Sequence, residues 1–384
     1  MFIHAYIDVS STLLKAYTGA EPFHSYVKKF FATQKKYGSR DRKHIIHLCY
    51  CYFRLGHLFK THTLRDRLII GLFLCSDAPN ALLAALQEDW NKMAFFPVIE
   101  KIKVVDADAE VEAVFPFNNQ LSAAIDKTAF NASFLVQPLV YLRIRPGCQQ
   151  KVTAALQKNA IAFETINSHC IAVSSQTKVD AVLELDKEVV VQDMSSQRVL
   201  EPLTTVDLQD PLQVWDCCAA SGGKSILLLD IFSNVRLTVS DVRQSILHNL
   251  HSRFAKAGIK NYHWFIGDAA RTGPPQNQKF DVVICDAPCS GSGTWGRTPE
   301  QLHFFTESKI DHYAGLQKGI VANVCKSIKP GGYLLYITCS VFTKENEDVV
   351  AFAQNTLSLK LLQSQYYKGY ERQADTLFAA LFQV

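Results

Sequence analysis

The sequence has no long hydrophobic run, no internal repeat and no low-complexity tract. Its longest strongly apolar stretch, Leu68 to Cys75, is far too short to span a bilayer. The opening residues, Met1 to Ser11, are mixed in character and carry Asp8, so they lack the apolar segment of a secretory leader. The expectation is a cytoplasmic chain with no membrane partner. Eleven cysteines among 384 residues are then expected to stay reduced, because disulfides are rare in that compartment. A strong charge imbalance is also missing: 40 Lys and Arg face 36 Asp and Glu, a net charge of +4. This permits an anionic partner without demanding one. Two nucleotide signatures are absent. The phosphate-binding loop needs glycine where Cys218 stands, and G-x-G-x-x-G occurs nowhere. Cys285 and Cys289 have the spacing of half a zinc site, but no second pair follows, so no metal is expected.

What is present divides into parts. At this length two or three domains are expected. Residues 1–130 read as helical, with apolar positions at three- and four-residue spacing in His44 to Phe53 and in Ala78 to Met93. Residues 131–190 read as a small α+β module: an alternating strand at Leu139 to Arg145 stopped by Pro146-Gly147, a helix over Gln149 to Asn159, and strands near 162–165 and 169–173. Residues 191–384 alternate strand and helix. Strands are expected near 213–217, 236–240, 262–266, 280–285, 333–338, 359–366 and 376–383, with helices near 222–231, 243–257, 308–328 and 345–354. Such alternation predicts an α/β, doubly wound, mostly parallel sheet.

Three loops after strands carry the chemistry, because open α/β sheets bind ligands outside the carboxyl ends of their strands. The first is Asp216-Cys217-Cys218-Ala219-Ala220-Ser221-Gly222-Gly223-Lys224-Ser225, a turn of small residues opening a helix. Glycines there allow a ligand close to the backbone, which makes Cys218 to Lys224 the candidate cofactor turn. Asp241, at the end of the next strand, can accept hydrogen bonds from ribose hydroxyls. Asp268, after the third strand, can meet an adenine amino group. This order resembles class I S-adenosylmethionine-dependent methyltransferases, whose sulfonium cofactor needs no phosphate cradle. The other two loops are Asp286-Ala287-Pro288-Cys289-Ser290-Gly291-Ser292-Gly293 and Thr338-Cys339-Ser340-Val341-Phe342-Thr343-Lys344-Glu345-Asn346-Glu347, each with a cysteine just past a strand.

These last two motifs resemble the RNA (cytosine-5)-methyltransferases of the Sun/Nop type, whose bacterial ribosomal members are called RsmB or Fmu. The resemblance covers about residues 189–384, including Val191 to Gln197 and Asp375-Thr376-Leu377-Phe378. It continues more weakly through Tyr37 to Lys43 and Phe115 to Ser122. It implies a Rossmann-like catalytic sheet, a helical N-terminal domain and an RNA-recognition-like module, with S-adenosylmethionine as cofactor and ribosomal RNA as substrate. Cys339 would be the nucleophile that adds to carbon 6 of cytosine, and Cys289 the group that assists release. Asp286 would contact the base and the cofactor side, with Lys224 in reach. The family turn reads Ala-Pro-Gly-Gly-Lys, and Ser221 replaces the proline. Cys49, Cys51, Cys75, Cys285 and Cys325 are expected to be inert core thiols.

For RNA, residues 28–43 offer Lys28, Lys29, Lys35, Lys36, Arg40, Arg42 and Lys43, interleaved with Phe30, Phe31 and Tyr37. The competing reading is a solvated helix face with inward aromatics. Arg143 and Arg145 share one face of their strand, and Arg297 follows the thiol loop as a candidate phosphate contact. The chain is expected to work as a monomer. The rivals are a transfer-RNA cytosine-5 methyltransferase, a DNA cytosine methyltransferase using Pro288-Cys289, and a non-enzymatic RNA-binding assembly factor.

Overall fold

A computed structural model describes residues 3–384. They form two compact units. The first comprises the chain up to Leu121 with Ile125–Gln137 and Thr294–Glu307. It is helical: α1 (Ile3–Ala16), α2 (Phe23–Thr33), α3 (Ser39–Arg54), α4 (Leu64–Cys75), α5 (Ala81–Leu86), α6 (Glu88–Lys92), α7 (Val98–Val105) and α8 (Lys127–Ser133). The exposed carbonyls at the end of α4 are a cost that a buried lysine offsets. Lys101 Nζ donates to Ser76 C=O at 2.6 Å and to Leu74 C=O at 3.0 Å. In the basic stretch, Phe31 and Tyr37 are buried, while Lys28, Lys35, Lys36, Arg40 and Lys43 are exposed. Those two aromatics therefore pack inward and leave a cationic surface without them.

The second unit comprises residues 122–124, Pro138–Gly293 and Ser308–Val384. Its small part is a four-stranded antiparallel sheet in the order β2-β3-β1-β4. The strands are β1 (Val140–Ile144), β2 (Phe163–Asn167), β3 (Cys170–Val173) and β4 (Val189–Val191), with α9 (Gln149–Lys158) against them. Leu142 and Ile144 of β1 meet Val152 and Leu156 of α9 in its core.

The larger part is a seven-stranded sheet in the order β10-β11-β9-β8-β5-β6-β7. The strands are β5 (Leu212–Asp216), β6 (Val235–Asp241), β7 (His263–Ile266), β8 (Phe280–Asp286), β9 (Ile328–Thr338), β10 (Lys360–Lys368) and β11 (Thr376–Gln383). β5 to β9 are parallel, and β10 and β11 are antiparallel additions. The central strands are apolar at successive positions because both faces are covered. Val214, Val282 and Ile284 face α10 (Gly223–Ile231) and α11 (Gln244–Lys256). Trp215, Val283 and Cys285 face α12 (Ser308–Val324) and α13 (Glu347–Leu357). The order runs outward from β5 to β7 and then returns to β8 beside β5. The crevice of a doubly wound sheet opens at that reversal. β9 begins earlier than its apolar run indicates, since pairing with β8 starts at Ile328 and a shift in register carries it past Pro330-Gly331-Gly332.

Arg143 and Arg145 do share a face, but that face is turned to the catalytic sheet and not to a phosphate. Both guanidiniums converge on Asp230 of α10, with side-chain exposures of only 5%, 15% and 7% for Arg143, Arg145 and Asp230. Arg143 Nε also donates to Gln192 Oε1 at 2.7 Å and Arg145 Nη1 to Ala257 C=O at 2.7 Å. Removing one member of a buried ionic cluster leaves uncompensated charge behind. Asp230→Ala should therefore destabilise the chain by about 3–5 kcal/mol in equilibrium urea unfolding. A loss below about 1 kcal/mol, the scale of an exposed pair, would show that Asp230 does not hold the two parts together.

Candidate active site

β8 and β9 pair in parallel with Asp286 opposite Ile337, so their carboxyl ends lie side by side. The two following loops are laced together: Ala287 N–H donates to Ile337 C=O at 2.9 Å, and Gly293 N–H donates to Cys339 C=O at 2.9 Å. Gly293 has to be glycine, because a Cβ there would lie 2.0 Å from the Thr376 carbonyl oxygen. This lacing brings Cys289 and Cys339, both partly exposed, to an Sγ–Sγ distance of 3.2 Å.

Lys224, at the start of α10, donates from Nζ to Asp286 Oδ2 at 2.6 Å. Burial works against its charge, but Asp286 and the nearby Cys339 more than compensate, and the Lys224 pKa lies above its ordinary value. The Cys289 thiol is pushed well up by its hydrogen bond with Cys339, by burial and by the negative charges of its neighbours, Glu345 among them. Cys339, Cys289, Lys224 and Asp286 thus form one cluster, with an ammonium on one side and a carboxylate on the other.

The glycine turn is tied to the strand ends around it. Cys217 N–H donates to Ile284 C=O at 3.0 Å, Ala219 N–H to Ser240 C=O at 2.9 Å, and Ala220 N–H to Asp241 Oδ2 at 3.0 Å. Ala220 and Gly222 have positive φ, at 46° and 82°. A Cβ at Gly222 would lie 2.5 Å from a Phe254 ring carbon, so the turn closes against α11 only with glycine. Ser221 has a partner that a proline side chain could not supply: Arg253 Nη1 donates to its Oγ at 2.9 Å and to its C=O at 3.1 Å. Arg253 in turn pairs with Asp186 of the small module at 2.8 Å.

Asp241 is almost fully buried. Besides Ala220, it accepts from the Arg243 N–H at 2.9 Å and from Arg243 Nε at 3.1 Å. Asp268 is held within its own turn, accepting from Ala270 N–H at 3.0 Å and pairing with Arg271 at 3.5 Å, and its side chain is 39% exposed. Cys217 and Cys285 are core thiols, with Cys218 packed beside them. Arg297 belongs to the segment that clusters with the first unit.

Asp216 and Glu345 stand in the quoted motifs without an assigned role. Asp216 ends β5 at the crevice. Its Oδ2 accepts from Ser225 Oγ at 2.6 Å, while its buried Oδ1 has no hydrogen-bond partner among the described residues. Burial pushes this carboxyl up to about 7. An acid that ends a central strand just before a glycine turn was the available signal.

The doubly wound sheet, its reversal between β5 and β8 and the glycine turn define a class I methyltransferase fold. Among solved structures, PH0851 aligns over 100% of this chain and 98% of its own with a TM-score of 0.70 at 18% identity. A methyltransferase homolog from Pyrococcus horikoshii aligns over 69% of this chain and 92% of its own, with a TM-score of 0.58 at 22% identity. Residues 203–377 match the family model described as 16S rRNA methyltransferase RsmB/F. That stretch is similar to the methyltransferase domain of the RsmB/F family. Ribosomal RNA small subunit methyltransferase B of Xanthomonas campestris is 36% identical over 172 residues, 44% of this chain and 39% of that protein. The corresponding enzyme of Proteus mirabilis is 30% identical over 227 residues, 56% of this chain and 51% of that protein. The chain thus spans about half or less of the length of such relatives. Among the described residues, no helix is long and apolar enough to cross a membrane.

The Asp216 carboxyl gives a pH test. Its folded-state pKa is raised, so its stabilising contribution is complete below the unfolded value of 3.8 and is lost as pH rises to about 7. Asp216→Asn does not titrate. Across that window, wild type should lose a few kcal/mol of stability relative to the variant. Unfolding midpoints of both proteins at pH 5 and pH 8 check this, and a constant difference would contradict the burial argument.

Proposed function

We propose that this chain transfers a methyl group from S-adenosylmethionine to carbon 5 of a cytosine in ribosomal RNA, through a covalent bond between Cys339 and the base. The observation that carries the reading is the pair of sulfurs 3.2 Å apart at the ends of adjacent parallel strands, next to the Lys224–Asp286 pair. One thiol is enough for an inert packing role. Two at one crevice fit a reaction that needs both a nucleophile and a base. The ribosomal RNA part rests on the names of the relatives.

The residues around the glycine turn fit the methyl donor. The unpartnered Oδ1 of Asp216 suits the donor's amino group. Asp241 suits a ribose diol, which would take the place of the Arg243 guanidinium, an exposed side chain. The exposed Val242 beside it offers apolar surface to a purine. When bound, the cofactor supplies an electrophilic methyl group.

The protein's own part begins at Cys339. Its thiolate adds to carbon 6 of the cytosine, and the electron pair released into the ring makes carbon 5 nucleophilic. The Lys224 ammonium lies near Cys339, and Asp286 presents its carboxyl group to the base. After methyl transfer, carbon 5 carries both a proton and a methyl group. Cys289, its own proton first released to solvent, takes that proton as a thiolate, and the electron pair of the C–H bond re-forms the ring double bond as the Cys339 sulfur departs. The exposed cations of residues 28–43 supply a surface for the RNA backbone.

Cys339→Ala should fold normally and lose about 10³-fold or more in methyl transfer to RNA, the scale for deleting a covalent nucleophile. Cys289→Ala should accumulate a protein–RNA adduct that survives denaturing electrophoresis. Labelled methyl transfer to ribosomal RNA, transfer RNA and DNA tests the substrate class. Full activity in Cys339→Ala would falsify the assignment.

A further inference from the structure

Glu345 is fully buried, and no ion pair to it is found among the described residues. A buried carboxylate is costly unless hydrogen bonds replace its water. Its Oε1 accepts from Ser340 Oγ at 2.8 Å. Its Oε2 accepts from the Ser290 N–H at 2.9 Å and from Gln317 Nε2 at 2.9 Å. These three donors have a common feature. Ser290 follows Cys289 in the chain, and Ser340 follows Cys339. The same Gln317 amide also donates to the carbonyl of Pro288 at 2.9 Å, just before Cys289. One carboxylate and one amide therefore hold the backbone on both sides of Cys289, and the same carboxylate holds the residue after Cys339. Tyr336 OH fixes the Glu345 backbone by donating to its carbonyl at 2.6 Å.

We propose that Glu345 is a positioning residue for the two-cysteine reaction, clamping the loops of Cys289 and Cys339 to one buried carboxylate and so fixing both the separation and the unequal roles of the sulfurs. This rests on the methyltransferase reading above. The clamp is stiff because each arm is short and buried, and Ser292 adds a cross-brace from its Oγ to Ser340 Oγ at 3.2 Å. The surroundings of the sulfurs differ: the Cys289 thiol is raised by its hydrogen bond with Cys339, by burial and by neighbouring charges, Glu345 among them, while the Lys224 ammonium interacts with Cys339. The other titratable groups facing Cys289 are Cys339, Tyr313 of α12 and Tyr336 of β9. Burial raises both phenols, so they stay neutral through the range in which thiols titrate. A group that keeps Cys289 protonated during attack leaves it a poor competitor as nucleophile.

The test reads thiol chemistry separately from catalysis. Full-length wild type and Glu345→Gln are alkylated with iodoacetamide between pH 6 and 10, without RNA or methyl donor, and modification of Cys289 and Cys339 is followed by peptide mass spectrometry. Loss of the charge should move the Cys289 profile to lower pH. In turnover assays kcat should fall about 10- to 100-fold, the scale of a displaced reacting group, with KM for RNA little changed. A Cys289 profile identical to wild type would overturn the proposal. Ser340→Ala covers the case in which Glu345→Gln does not fold. It removes the arm to the Cys339 loop together with the Ser340 contacts to Ser290 and Ser292 but leaves the Glu345 charge, so kcat should fall while the Cys289 profile stays in place. Wild-type kcat in Ser340→Ala would equally overturn it. A wild-type protein that transfers no methyl group would refute the proposed function, and the alkylation profiles would still judge the clamp.

Discussion

The parallel pairing of β8 with β9 is the constraint on which the rest of the site depends. With Asp286 opposite Ile337, the chain leaves both strands at one level, and the two loops can bond to each other instead of to solvent. The 3.2 Å approach of the sulfurs follows from that register, and slipping it would move both loops out of contact. The pairing is secured from both faces of the sheet. Ile284 and Ile337 lie in one core and Cys285 and Tyr336 in the other.

A second set of contacts governs how the glycine turn is held. Arg253 bonds to Ser221 with one nitrogen and to Asp186 with two others. The turn that faces the cofactor is thus connected to the small module. Proline at 221 would stiffen the loop through its ring. Serine gives up that local rigidity and gains a hydrogen bond that reaches a different part of the unit. Together with the Asp230 cluster, this gives the module polar attachments to the helices α10 and α11, beside the apolar contacts of Tyr141, Cys170 and Ala172 with Met194 and Ala374. Such attachments are directional, and they define the orientation of the module on the sheet.

Much of this was legible in the sequence, for physical reasons that also explain what was not. Strands such as Phe280 to Asp286 stand out because burial on two faces demands unbroken apolar runs, and the motifs around Cys289 and Cys339 mark the ends of two such runs. β4 is only three residues long, Val189–Val191, too short for any alternation to register. Arg143 and Arg145 were misleading because spacing reveals that two side chains share a face but not what that face meets. Their partner, Asp230, is 87 and 85 residues away. Asp216 and Glu345 were visible as letters in motifs. Their significance lies in an unpartnered buried oxygen and in a three-way junction of loops, and neither is a local property of the chain. The clustering of Thr294–Glu307 with the helical unit is non-local in the same way.

Two chemically identical side chains can divide a reaction only if their surroundings differ, and here the difference is built from fixed charges. Environment commonly separates paired catalytic groups in this way, by pushing one toward its charged form and the other toward its neutral form. Lys224 is held by Asp286 at 2.6 Å, so its charge is anchored near Cys339 and does not depend on solvent. Glu345 has no such counter-ion among the described residues, and its field falls on Cys289. Exchanging the two sulfurs' roles would require moving both charges, not merely the thiols. On the proposed reading, the identity of the nucleophile is a property of the scaffold around the cysteines, set by the ends of β8 and β9 and by the two side chains that flank them.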